Sequence, residues 1–226
     1  MRICVYPTLA LALLSVAPML HAGEADNRRL ADAASMFKEI MDTPDRSIPR
    51  DLLKSAECAV LVPGMKKAGF ILGAKYGRGF ATCRTNKGWS APVAMRIEGG
   101  SVGFQIGASE TDIILLIMNK RGMDRLLSSK FTLGAEASVA AGPVGRDSQA
   151  QTDATMHAEI LSWSRSRGVF AGIALQGATL RADSDTDRDL YGKDIDRADV
   201  LNGKVDTPPA AASLVSVLTR YSGVGN

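Results

Sequence analysis

Histidine, aromatic side chains and the short signatures of nucleotide or metal binding are scarce in this chain, and each scarcity removes a class of chemistry. The 226 residues include two histidines and only 5% aromatics. No P-loop, C-x-x-C, H-E-x-x-H or dinucleotide fingerprint occurs, so neither a phosphate-cradling loop nor a clustered metal site is expected, and no cofactor is implied. A net charge of +3, without arginines interleaved among aromatics to stack exposed bases, gives no footprint for nucleic acid. Long apolar runs are also missing, with one exception. Ile3 to Leu20 follows Arg2 and ends at Leu20-His21-Ala22 before the polar Gly23-Glu24-Ala25-Asp26. That pattern reads as a secretory signal over residues 1–22, cut after Ala22; the alternative is an uncleaved anchor helix. The expected location is outside the cytoplasm, periplasmic or secreted, or peripheral on a membrane.

Cysteine is rare too. Removing residues 1–22 leaves Cys58 and Cys83, favoured as a disulfide in an oxidising compartment, with two buried free thiols as the alternative. The one remaining histidine, His157, has no partner nearby in sequence, which argues against a catalytic thiol.

What the chain has in quantity is glycine. Nine glycines fall between Gly69 and Gly107, a density that rules out long helices, since each interior Gly costs roughly 1 kcal/mol relative to Ala. Bent antiparallel strands use Gly at bends and bulges. The stretch reads as a meander with strands at Ala68–Tyr76, Gly79–Arg84, Trp89–Ile97 and Ser101–Gly107, turning at Tyr76-Gly77-Arg78-Gly79, Asn86-Lys87-Gly88 and Gly99-Gly100. The expected fold is α+β: one domain over residues 23–226 with a strongly curved or barrel-like antiparallel sheet of about eight strands. Helices from both ends of the chain pack over that sheet.

Before the meander, Leu30, Ala33, Ala34, Phe37 and Met41 recur at helical spacing. The helix either caps the sheet or lies in a headgroup layer. Pro49 suits the first turn of a short helix through Ala56, and Cys58–Val62 has the look of a strand. Ile113-Ile114-Leu115-Leu116-Ile117-Met118 is too short to span a bilayer and reads as a strand buried on both faces. Asn119 caps a helix through Leu127, and Phe131 to Ala141 returns as a strand. Gly142 to Thr155 is a polar loop. Ile160–Ser164 and Val169–Leu180 close a hairpin, and Thr207-Pro208 open a helix to about Tyr221.

Ile48-Pro49, the run Gly69-Phe70-Ile71-Leu72-Gly73-Ala74-Lys75-Tyr76-Gly77-Arg78-Gly79, Trp89-Ser90-Ala91-Pro92, Gly103-Phe104-Gln105-Ile106-Gly107, Gly142-Pro143-Val144-Gly145-Arg146 and Ser166-Arg167-Gly168-Val169-Phe170-Ala171-Gly172 occur in one order. That order resembles the SYLF-domain family, over about Leu30 to Gly192. The resemblance implies a lipid-binding or membrane-surface module without an established enzymatic activity. Some fungal members also bind actin, which is not expected as a partner in an exported compartment.

Three constellations could carry chemistry. Gly99-Gly100-Ser101-Val102-Gly103 fits a nucleophile elbow, with Asp153 and His157 downstream, but a strand-like segment follows Ser101 where the elbow needs a helix. Asp183-Ser184-Asp185-Thr186-Asp187, with Asp194, partly imitates a calcium loop; Arg188 stands where that loop needs Gly, so a solvated acidic helix start is favoured and no metal is assigned. The basic residues are the stronger signal. Lys66, Lys67, Lys75, Arg78, Arg84, Lys87 and Arg96 face Glu98 alone, whereas Ala182 to Asp206 carries eight Asp against four cations. Each cation near an anionic leaflet contributes about 1 kcal/mol. Lys66, Lys67, Lys75 and Arg78, with Tyr76 and Phe80 as apolar companions, are the candidate lipid-binding residues. The expected function is non-enzymatic binding of anionic phospholipid; the alternative is a structural or protein-interaction domain of the cell envelope.

Overall fold

A strand of 28 residues cannot stay straight in a protein of this size. The computed structural model describes residues 20–43, 47–144, 157–166, 169–170 and 175–223, and its first strand, β1, runs over Cys58–Thr85. Extended, it would span about 90 Å, against a radius of gyration near 16 Å for a domain of about 200 residues. It curls until its ends meet: the Cα atoms of Cys58 and Cys83 are 3.9 Å apart and the two sulfurs are bonded. Beside them the Arg84 N–H donates to the Glu57 carbonyl at 2.7 Å.

β1 turns through Asn86-Lys87 into β2 (Gly88–Trp89) and pairs along almost its whole length with β3 (Val93–Ile117), from Ala81↔Val93 to Cys58↔Ile117. The expected four-stranded meander is thus two long strands. Only the Asn86-Lys87-Gly88 turn is present; Tyr76–Gly79 and Gly99-Gly100 stay inside the ladder, opposite Glu98–Met95 and Lys75–Ala74. In a ladder Gly permits bending and close approach without reversing the chain. Register breaks lie between Val62 and Met65, where Gly64 has φ +58°, and between Gly69 and Ile71.

α3 (Lys120–Leu127) follows, its first turn capped by the Asn119 side chain accepting from the Gly122 N–H at 2.9 Å. The expected strand Phe131–Ala141 is two short ones, β4 (Lys130–Thr132) and β5 (Val139–Ala141), separated by Gly134 at φ +82°. β6 (Ile160–Ser166) pairs antiparallel with the end of β3 and parallel with β5. β7 (Val169–Phe170) folds back on β6, and β8 (Thr179–Ala182) joins β3 at Met95–Glu98 and β4 at Lys130–Thr132. The result is α+β, a strongly curled half-barrel of eight strands among the described residues, with β5–β6 its parallel pair.

Alternation along β1 and β3 sorts their side chains to two cores. Val60, Val62, Ile113, Leu115 and Ile117 line the inside of the curl with the Cys58–Cys83 pair. Ala59, Leu61, Ile114 and Leu116 face outward beneath helices, so the 113–117 run is buried on both sides, as its unbroken hydrophobicity implies. The covering helices are α1 (Leu20–Met41), α2 (Arg50–Ser55) and, near the C-terminus, α6 (Ala212–Ser222). Phe37 of α1 meets Tyr221 of α6 edge to face at 6.0 Å. The stripe Leu30, Ala33, Ala34, Phe37 and Met41 is taken up by this packing, so this stripe is not available to a headgroup layer. Two further helices, α4 (Ser184–Tyr191) and α5 (Arg197–Leu201), carry the acidic segment. Residues 1–19, most of the expected signal, and 145–156, most of the expected polar loop, lie outside the described residues, as do the strand residues expected at 171–174.

Candidate ligand-binding groove

The six expected lipid-binding residues do not form one rim. Lys66 is exposed and Lys67 half-buried, just after the Gly64 bulge. Tyr76 is 46% exposed, but it stands mid-strand opposite Glu98, well along the ladder from Lys66. Phe80 is fully buried in the outer core, so it cannot enter a membrane. Lys75 is buried, and burial, with the positive charge of Lys67, holds its pKa below the usual 10.5. Arg78 donates through Nε to Asp183 at 2.7 Å and through a second nitrogen to the Thr186 hydroxyl. Other cations of the glycine-rich stretch are absorbed by the fold as well. Arg84 donates to the Leu53 and Ala56 carbonyls at the end of α2 and stacks on Trp89 at 4.8 Å.

The acidic segment is correspondingly not a solvated helix start. Asp183 and Asp187, one turn apart, are buried. Asp187 accepts from the Ala94 N–H at 2.6 Å and from Arg197, so the pair locks α4 and α5 to the β3 backbone. The two carboxyls are tuned in opposite directions. Burial opposes ionisation of Asp183, but the hydrogen bond and charge of Arg78, with Arg96 behind it, prevail and hold its pKa below 3.8. For Asp187 burial prevails over Arg197, and the pKa lies above 3.8. A lowered carboxyl contributes stability that is complete above its unfolded value and is lost as pH falls through the lower folded value. A raised one has the reverse slope. Asp183→Asn should therefore flatten the loss of stability below about pH 4, measured as urea midpoints at a series of pH values for both chains; parallel pH curves would contradict this.

The motif glycines and tryptophans are committed to packing. Gly142 lies against the Trp163 ring, where an added Cβ would come within 2.1 Å, and the Trp163 indole donates to the Pro143 carbonyl at 2.9 Å. Trp89 donates to the Ser222 hydroxyl at 3.0 Å, and Thr82 to the Ser90 carbonyl at 2.7 Å. Ser101 lies within β3, which continues as strand to Ile117, so the helix that an elbow requires is absent from that position. Asp153 is outside the described residues and His157 is exposed. Among the described residues no group of His, Cys, Asp and Glu is placed to hold a metal ion.

A cavity of about 710 Å³ opens where α1 stands away from the sheet. One wall is the flank of α1 carrying Arg28, Arg29, Asp32 and Glu39; the other is the Pro63-Gly64 bulge with Glu110, Asp112 and Arg165. Positive φ at Gly64 makes the bulge, and a side chain there would collide with the Glu110 carboxylate at 2.6 Å. The Gly64 N–H donates to Asp112 at 3.0 Å. Arg165 bridges the walls, reaching Asp112 at 2.7 Å and Glu39 at 2.8 Å. Lys66 is the cross-strand partner of Glu110, so its exposed ammonium stands on the groove's side of β1, whereas half-buried Lys67 points to the opposite face, toward Lys75. Sequence reading misses the groove because its walls come from three distant segments; the only local cue is Pro63-Gly64 interrupting an apolar strand.

Curled half-barrel, covering helices and polar groove together define an α+β protein with a charged opening between its first helix and its sheet. The chain belongs to the Ysc84 (SYLF) family: residues 98–221 match the family described as "Ysc84: Las17-binding protein actin regulator". Curated relatives extend the match toward the N-terminus. SH3 domain-containing YSC84-like protein 1 of Rattus norvegicus is 32% identical over 203 residues, covering 88% of this chain and 59% of the relative. The Homo sapiens protein of that name is 30% identical over 203 residues, with the same two shares covered. LAS seventeen-binding protein 3 of Saccharomyces cerevisiae is 33% identical over 179 residues, 77% of this chain and 39% of the relative. The chain thus spans less than two thirds of these relatives' length. Their names describe SH3 domain-containing and LAS seventeen-binding proteins and state no enzymatic activity.

Proposed function

We propose that this chain is a non-enzymatic module that associates with anionic phospholipid surfaces, that residues 23–226 act as one unit, and that residues 1–22 direct its export. The observation that carries the binding reading is the position of Lys66, exposed just after the Gly64 bulge and across the ladder from Glu110, with half-buried Lys67 next to it on the opposite face of the strand, neither in a salt bridge among the described residues. Arg28 is exposed on the opposite wall, and Tyr76 offers an exposed ring farther along the same strand. No helix of the described residues is long and apolar enough to cross a membrane, so contact through this rim would be peripheral.

Lys66→Gln/Lys67→Gln should weaken co-sedimentation with anionic vesicles by about thirtyfold, from roughly 1 kcal/mol per cation near the leaflet. Binding by the unaltered chain should fall steeply with salt, because exposed charges are screened beyond about 8 Å at physiological ionic strength. The melting temperature should hardly change. Arg78 is kept out of this test because its guanidinium serves buried Asp183. Vesicle binding unaffected by the double change would sink the lysine rim. The second reading, a protein-interaction domain, is favoured by the Las17-binding description of the family and gains if the folded chain ignores vesicles of every charge.

A further inference from the structure

The groove beside the lysines is not itself a cationic site. Of its three arginines, Arg29 is paired with Asp26, and Arg165 with Asp112 and Glu39. What stands on its walls without an ion-pair partner among the described residues is one guanidinium, Arg28, and two carboxylates, Asp32 and Glu110, all three exposed. Arg28 and Asp32 are one helical turn apart on α1, a separation of about 6 Å between Cβ atoms, and Glu110 faces them from β3.

Among the residues that line this space, a bare phosphate meets one available cation and two negative charges, with Lys66 outside the lining across the ladder from Glu110. A bare ammonium satisfies the carboxylates but leaves Arg28 unmatched. A group bearing both, phosphate to Arg28 and a primary ammonium to Asp32 and Glu110, matches the whole arrangement by charge-assisted hydrogen bonds. A quaternary ammonium carries no N–H to donate and fits less well. The volume of about 710 Å³ lies in the range of small-ligand sites. The apolar lining is Ala25, Met36 and Pro63, with no aromatic pocket of the kind that anchors a peptide side chain. We propose that the groove between α1 and the Gly64 bulge binds a phosphoethanolamine group, Arg28 holding the phosphate and Asp32 with Glu110 holding the ammonium. As the headgroup of an aminophospholipid this deepens the membrane reading, on which that source rests; soluble phosphoethanolamine presents the same chemistry.

The test uses the whole chain. Calorimetric titration with phosphoethanolamine, phosphocholine and inorganic phosphate should show phosphoethanolamine binding at least tenfold more tightly than either. Asp32→Asn/Glu110→Gln should abolish that preference, and Arg28→Gln should weaken phosphoethanolamine about tenfold. All three positions are exposed, and a circular-dichroism melt confirms that each variant folds. In the second arm, phosphatidylcholine vesicles containing phosphatidylethanolamine should retain the chain better than phosphatidylcholine alone, and the double carboxylate variant should lose the difference. Equal affinity for phosphoethanolamine and phosphocholine, or a preference that survives the carboxylate changes, overturns the site. Selective binding of the soluble compound without enrichment on the vesicles overturns the membrane source. A lysine-bearing peptide that displaces phosphoethanolamine at lower concentration assigns the groove to a protein and overturns the proposal. Lys67→Gln, on the opposite face of β1 from Glu110, should leave the titration unchanged while weakening anionic-vesicle binding, so failure of the lysine reading and failure of the groove are read separately.

Discussion

Valine in place of Gly79 is expected to prevent folding. Gly79 lies where the second half of β1 crosses its own first half: a Cβ built there would stand 2.0 Å from the Leu61 carbonyl oxygen and 2.7 Å from the Val62 Cα. Those are backbone atoms of the same curled strand, and a rotamer change cannot relieve them. Overpacking against side chains typically costs about 1–3 kcal/mol. Against backbone, in a strand whose ends are bonded together, the cost should exceed about 3 kcal/mol, a large fraction of the roughly 5–15 kcal/mol that holds a domain folded. Soluble yield and urea denaturation should both collapse, and alanine should be nearly as damaging. Gly100→Ala is the control. Its Cβ would meet nothing within 4 Å, so it should shift stability by less than about 0.5 kcal/mol. Native-like stability of the Gly79 variant would mean that the two halves of β1 do not cross so closely.

The second large effect is expected at Asp187. Removing its carboxylate by Asp187→Ala leaves the Ala94 N–H without its acceptor and Arg197, 16% exposed, without its counter-ion. Breaking one side of a buried pair typically costs about 3–5 kcal/mol. Replacing both members by apolar residues removes the stranded charge along with the pair. Asp187→Ala/Arg197→Met should therefore be more stable than Asp187→Ala alone, although it still lacks the Ala94 hydrogen bond. A double-mutant cycle by urea denaturation measures this, and strict additivity would argue against the pairing. Lys66 and Lys67 should behave in the opposite way: changes at the rim alter binding and spare stability, whereas changes beneath α4 cost stability.

Local pattern makes some of this architecture legible. The spacing of Leu30, Ala33, Ala34, Phe37 and Met41 announces α1, the unbroken run at Ile113–Ile117 announces a strand buried on both faces, and Asn119 announces its cap. Glycine density correctly marks the bent strands and the reversal at Asn86-Lys87-Gly88, but not the reversals expected at Tyr76–Gly79 and Gly99-Gly100, because whether a Gly turns a strand or lets it bend depends on what packs against it. At Gly79 that partner lies near Leu61, which no local window contains. The charges mislead for a similar reason. Arg78 and Asp183 are 105 residues apart, so an apparent basic patch and an apparent acidic patch meet across one buried contact. The i, i+4 spacing of Asp183 and Asp187 is the available hint that they share a helix face. Lys66 keeps its place on the surface because the exposed side of a bulge is set locally, whereas half-buried Lys67 faces the other way.

The bond between Cys58 and Cys83 joins the two ends of one strand. Its loss removes the covalent restraint on how flat that strand can become. Closing a loop of 25 residues is worth roughly 3–4 kcal/mol in the chain-entropy account, but the larger consequence is colloidal. Opened out, β1 and β3 form a ribbon with unpaired edges and an apolar segment, Ile113–Ile117, of the kind that templates edge-to-edge assembly. Under mild denaturant, the reduced chain should turn into light-scattering, thioflavin-positive aggregate at concentrations where the oxidised chain unfolds and refolds as a monomer.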